Sequence, residues 1–172
     1  MVVAAVLAVT AMALVVGQLT WGAGEGAEAT RLTVVAPENG EVVYGRDMTV
    51  GETFELRHIH SVTRREVVET FSVLDEDTVA IETLVFDEHG PNLPAGPSHV
   101  GEHVTYETDG AVVRVDHHGH PIGTLPLLVG GAQVDHTMVF EDERRVRLLE
   151  LVPTGTRLEV TVGETTMGGS ER

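Results

Sequence analysis

What most constrains this chain is the rhythm of its apolar runs. From Ala29 onward, short stretches rich in Val and Thr are separated by Gly, Asn, Asp and Pro, and no stretch repeats apolar residues at i, i+3, i+4 and i+7 over several turns. A helix needs such a stripe to bury one face, so the body of the chain reads as all β. Leu32 to Ala36 and Val42 to Arg46 flank Glu38-Asn39-Gly40, whose Asn-Gly pair signals a hairpin. In the next strand Phe54, Leu56, His58 and His60 share one face, with Glu55, Arg57, Ile59 and Ser61 on the other.

Further hairpins are expected across Asp75-Glu76-Asp77, between Glu66 to Leu74 and Thr78 to Phe86, and across a type I′ turn at Asp109-Gly110, between Glu102 to Glu107 and Ala111 to Asp116. Gly123 to Val129, Gln133 to Phe140, Arg144 to Leu151 and Arg157 to Val162 complete roughly ten mostly antiparallel strands, whose short, even spacing favours a single β-sandwich or a partly closed β-barrel over residues 31–162. Residues 87–101, with Pro91, Pro94 and Pro97, form the one long irregular loop, and residues 163–172 read as a solvated tail.

The first 24 residues carry no charged side chain, and Met1 to Val16 are apolar apart from Thr10. A bilayer core takes roughly 20 such residues as a helix, so residues 1–24 read as a hydrophobic helix. It serves either as an uncleaved membrane anchor with Trp21 at the interface or as a signal peptide cleaved near Ala27-Glu28-Ala29, with residues 25–30 as linker. Both readings put the β domain outside the cytoplasm, at the cell membrane or secreted.

With no cysteine there is no disulfide, thiolate metal site or cysteine nucleophile. Acids number 27 against 11 basic residues, all of them arginine, for a formal charge of −16. Such a surface repels nucleic acid, and the absence of lysine resembles adaptation to high salt, where screening relaxes self-repulsion.

Chemistry concentrates in residues 54–94. If three successive strands are neighbours, His60, Glu69 and Glu82 can converge, and an imidazole with two carboxylates holds a divalent ion or satisfies a buried histidine. Arg64-Arg65 can receive a carboxylate bidentately or pair with Glu66 or Glu69. Ser61 points away from its neighbour His60, so the two form no catalytic pair. A second cluster, Asp116, His117, His118 and His120, follows a strand at Gly119, where a turn would gather borderline-metal ligands or leave surface histidines. Asp75-Glu76-Asp77 and Asp87-Glu88 lack the alternating oxygens and turn glycine of a calcium loop.

These motifs resemble a known family, the uncharacterised prokaryotic domain of unknown function 1850. The resemblance is carried by Ile59-His60-Ser61-Val62, Glu69, Glu82-Thr83, the Gly90 to Pro94 loop, and Leu127-Leu128-Val129-Gly130 with His136. Pro91 and Asn92 depart from the small residues usual in that loop. The resemblance implies a small anchored or exported protein accessory to TAXI-type tripartite (TRAP) transporters, with a solute-binding protein or permease as partner and no established reaction. It adds Ser61, Asn92 and His136 to the ligand-binding candidates. The expectation is therefore an accessory docking domain, not an enzyme and without a cofactor. The alternative is a domain binding a small ligand or divalent metal.

Overall fold

A computed structural model describes residues 29–163. The N-terminal helix read over 1–24, the linker up to residue 28 and the tail from 164 lie outside the described residues. Within them there are eleven strands and no α-helix, and therefore no helix long and apolar enough to cross a membrane. The strands are β1 (Ala29–Ala36), β2 (Glu41–Thr49), β3 (Thr53–Ile59), β4 (Glu66–Val73), β5 (Val79–Phe86), β6 (Thr105–Asp109), β7 (Val112–Gly123), β8 (Leu125–Leu128), β9 (Thr137–Phe140), β10 (Arg145–Arg147) and β11 (Arg157–Gly163).

They form two antiparallel sheets, a four-stranded one in the order β2-β1-β11-β8 and a seven-stranded one in the order β10-β9-β3-β4-β5-β7-β6. The sheets do not close on each other, so the architecture is a sandwich and not a barrel. The alternation expected of β3 holds: Phe54 and Leu56 are buried, and His58 and His60 continue the same face.

Several expected boundaries are corrected. The β6–β7 turn is centred on Gly110 and Ala111, with Asp109 opposite Val112, and positive φ occurs only at Gly110 (+61°), so it is not type I′. β7 continues through the histidine cluster to Gly123, absorbing His118 (φ +53°) and Gly119 (φ +69°) as an irregularity instead of turning after Asp116. Residues 131–135 form a tight turn, with Val134 and Asp135 N–H both donating to Gly131 O, so β9 begins only at Thr137. β10 ends at Arg147, where Leu148–Glu150 winds into a short 3-10 turn that buries Leu148.

The core is in two parts. Leu32, Val34, Leu158 and Val160 of the smaller sheet meet Phe54, Leu56, Phe71, Met138 and Phe140 of the larger, and burying this much apolar area is the main stabilising term. Beyond the smaller sheet, Val67, Phe86, Val113 and Val115 form a second cluster roofed by Leu93, Val100 and Val104 from the 87–104 segment. Glu82 marks the division on β5. Phe71 pairs with Ile81 and Thr70 with Thr83, leaving Glu82 as an extra residue, so Ile81 joins the first cluster and Leu84 the second.

Candidate functional site

The two ends of the sandwich differ in kind. At one end β1 begins at Ala29, and Thr30 Oγ1 donates to Glu76 O and to Gly163 O. At the other end, where β1 finishes at Ala36, lie the 60–65 turn, the 90–94 turn, Leu128 and the 129–136 loop, and three histidines join them.

His60 is 8% exposed. Its Nδ1 accepts the N–H groups of Val62 (3.3 Å) and Thr63 (3.2 Å), and its Nε2 donates to Pro91 O at 2.9 Å. That bonding fixes the neutral tautomer protonated at Nε2. The carbonyl it grips belongs to a tight turn in which Leu93 N–H bonds Gly90 O, with proline at the second position and Asn92 at φ +69° at the third. Asn92 is thus used for its tolerance of left-handed backbone and is exposed. Gly90 passes so close that a Cβ there would lie 2.7 Å from His60 Cε1.

His136, also 8% exposed, accepts Gly130 N–H at Nδ1 (3.2 Å), and its ring centroid lies 5.1 Å from that of His58. His58 Nδ1 is buried with no hydrogen-bond partner. Burial, with His136 and His60 close by, pushes the His58 imidazole down to about 4, and burial also lowers His136. His58 was not among the residues expected in a site, although its place on the Phe54–Leu56 face is the signal that marks it.

The structure keeps His60, Glu69 and Glu82 apart even though β3, β4 and β5 are neighbours as expected. Glu69 faces inward between Val67 of one cluster and Phe71 of the other; it makes no hydrogen bond or ion pair among the described residues, and burial raises its carboxyl above the usual range. Glu82 accepts Ser72 Oγ at 2.5 Å. Ser72 and Glu69 stand on opposite faces of β4, because side chains alternate along a strand. Glu82 also lies toward the Ala29 end, whereas His60 lies beyond Ile59 at the other.

Of the arginine pair, Arg65 binds both carboxylate oxygens of Asp87, not Glu66 or Glu69, and Arg64 occupies a left-handed position (φ +63°) with its N–H on His60 O. Ser61 is exposed on the same turn. In the second cluster Asp116 Oδ1 accepts His118 N–H (2.8 Å), and His118 Nε2 meets Thr105 Oγ1 at 2.8 Å. His117 is half-buried, which lowers its imidazole, and His120 is exposed. Among the described residues no three His, Asp or Glu side chains are arranged to hold a metal ion.

A family model described as Domain of unknown function (DUF1850) matches residues 54–146. The chain belongs to this family. No curated protein and no solved structure matches it. The DUF1850 match begins in β3 and ends in β10, so it takes in the larger sheet and β8 but leaves β1, β2 and β11 outside. The histidine-joined end lies within the matched DUF1850 span, apart from the closing contacts of β1 and β11.

Two surface concavities lie near this end. One, of about 370 Å³, is lined by Pro37, Pro126, Leu127, Leu128, Arg157, Leu158 and Glu159 beside the open edge of β8, and Leu128 there is 60% exposed. Val129 turns its backbone groups toward β11, so by alternation those of Leu128 face outward. The other, of about 170 Å³ on the larger sheet, is lined by Arg57, His58, Ile59, Glu66, Asp135, Thr137 and Arg145.

Proposed function

We propose that this DUF1850 protein is an extracytoplasmic accessory domain of a TAXI-type TRAP solute transport system. In this reading it acts by docking and not by turnover. Its N-terminal apolar segment holds it at the cell membrane, and its partner is the soluble solute-binding protein. One observation carries the reading: of the family's motif segments, residues 59–62, 90–94 and 127–130 with His136 gather at the end of the sandwich opposite Ala29, the residue to which the N-terminal segment connects, while Glu69 and Glu82-Thr83 lie within the sheet. A tethered domain presents that end away from the bilayer, toward a soluble partner.

At the same end, Leu128 and Pro126, with Arg157 and Glu159 nearby, line a groove along an edge of β8 that no described strand pairs with, a surface suited to an extended segment of another protein. The test is pull-down of the purified binding protein and of the detergent-solubilised permease by the full chain, with Leu128→Glu as control. Binding of the solute-binding protein that Leu128→Glu abolishes supports the proposal. Binding of the permease alone overturns the choice of partner, and binding of neither overturns the docking role.

A second reading, small-anion binding, is favoured by the Arg57–Arg145 cleft. Arg145 lines it with no ion pair among the described residues of an otherwise acidic protein, and Thr137 supplies a hydroxyl. Thermal shift by small carboxylic acids, lost in Arg145→Ala, supports this reading. The absence of any shift removes it.

A further inference from the structure

We propose that the end of the sandwich opposite Ala29 is a proton-released clasp: protonation of His58, His60 and His136 frees the 60–65 turn, the 87–104 segment and the 129–136 loop while both sheets stay folded. The geometry requires all three rings to be neutral. His60 uses Nδ1 to accept two backbone N–H groups while Nε2 donates to Pro91. A second proton would set an N–H against the N–H groups of Val62 and Thr63; Nε2 can still donate to Pro91 O, so the 87–104 segment is freed only as the disrupted turn carries the ring away from it. His136 uses Nδ1 to accept Gly130 N–H, so a second proton there breaks the bond that closes the 129–136 loop on itself. His58 has no acceptor at its buried Nδ1, and its ring meets another imidazole at 5.1 Å.

The charged groups around them compensate only in part: Asp135 favours a proton on His136, and burial outweighs it. Asp135, beside His136, is held by Arg147 Nε at 2.6 Å, and Asp87 is held by Arg65. Arg57 and Glu66 lie on the opposite face of the sheet and pair with each other at 3.8 Å. Glu69 is one register row from His58, since Val67 stands opposite His58 and Glu69 opposite Leu56. Protons taken up inside the closed clasp therefore become neighbouring like charges, whereas in the opened form water solvates each one. That difference makes opening cooperative. The sheets hold because the side chains that join them, Leu32, Val34, Phe54, Leu56 and Phe140 among them, are apolar and carry no charge at either pH. Burial that keeps His58 and His136 neutral agrees with this geometry.

Opening is a property of the domain alone; its use in releasing a docked partner rests on the proposed function. Hydrogen exchange of the full chain, compared at about pH 7.5 and about pH 5 after correction for intrinsic rates, tests the opening. Peptides covering 60–65, 87–104 and 129–136 are expected to lose at least about tenfold protection at the lower pH, while those covering β1, β4 and β11 keep theirs. His58→Phe, which retains a ring but cannot charge, is expected to move the opening to lower pH. Should that variant misfold, the imidazole proton resonances of the wild type give the same information. Ordinary titration of all three rings with unchanged protection overturns the proposal, as does loss of sheet protection together with the loops. If the loops open and a bound partner stays, the clasp stands and the docking surface lies elsewhere.

Discussion

His60 Nε2 donates to Pro91 O at 2.9 Å, fastening the β3–β4 turn to a segment 31 residues downstream. The same ring accepts two N–H groups of its own turn, so one side chain holds two loops. Replacing it with phenylalanine keeps the bulk and removes all three bonds. The expected loss is about 1–3 kcal/mol in urea unfolding, because the groups left behind are only partly within reach of water. Limited proteolysis is expected to cut the His60→Phe variant near residues 90–94 first.

Two glycines are required by close approach, without positive φ. A Cβ at Gly90 would lie 2.7 Å from His60 Cε1, and one at Gly130 would lie 2.6 Å from Val134 Cβ. Neither neighbour is the far end of a flexible chain, so Gly90→Ala and Gly130→Ala are each expected to cost about 1–3 kcal/mol by overpacking. Gly110→Ala meets open space, and its cost, about 1–2 kcal/mol, comes from backbone strain at φ +61°. Thermal unfolding of the three variants measures these costs, and an unchanged Tm in Gly90→Ala or Gly130→Ala would show that the neighbouring side chain gives way.

Glu69 gives the alkaline side of the stability profile. Burial raises its carboxyl in the folded state, so its stabilising contribution is complete below the unfolded value of 4.5 and is lost as pH rises through the raised folded value. Glu69→Gln is therefore expected to raise the Tm at neutral pH and to change it little in acid. An equal gain at both pH values would mean that charge at Glu69 is not what destabilises the fold.

His58 and His136 give the acid side. Their folded values lie below 6.5, with His58 at about 4, so the unfolded chain binds more protons and stability falls as pH drops from about 6.5 toward about 4. The slope for one such group is at most about 1.4 kcal/mol per pH unit before solvent screening of these incompletely buried rings reduces it. Calorimetry from about pH 7 to about pH 4 is expected to show a shallower acid decline for His58→Phe than for the wild type.

The strands of this DUF1850 protein were legible where two local signals agreed. Alternation identified the buried face of β3 through Phe54, Leu56, His58 and His60, and turn chemistry located the Asn39-Gly40 and Asp75–Asp77 hairpins. The reading failed where backbone irregularity absorbed extra residues. Gly119 suggested a turn after Asp116, yet β7 keeps its pairing with β5 beyond it, because the bulge at Glu82 and the left-handed His118 and Gly119 take up the mismatch. Gln133 to His136 has strand-like composition, yet Gly131 closes a tight turn that delays β9 to Thr137.

By itself the sequence determined that this chain forms antiparallel β-structure, since period-two alternation and turn residues act over a few positions and need no distant partner. It also singled out His60 and His136. Only the tertiary structure decided what those histidines do. Alternation placed Glu69 and Glu82 on opposite faces of one sheet, while long-range packing brought Pro91 to His60 and His58 to His136. Side chains meet according to strand register and sheet order, and contacts between residues dozens of positions apart are not written in the spacing of either segment.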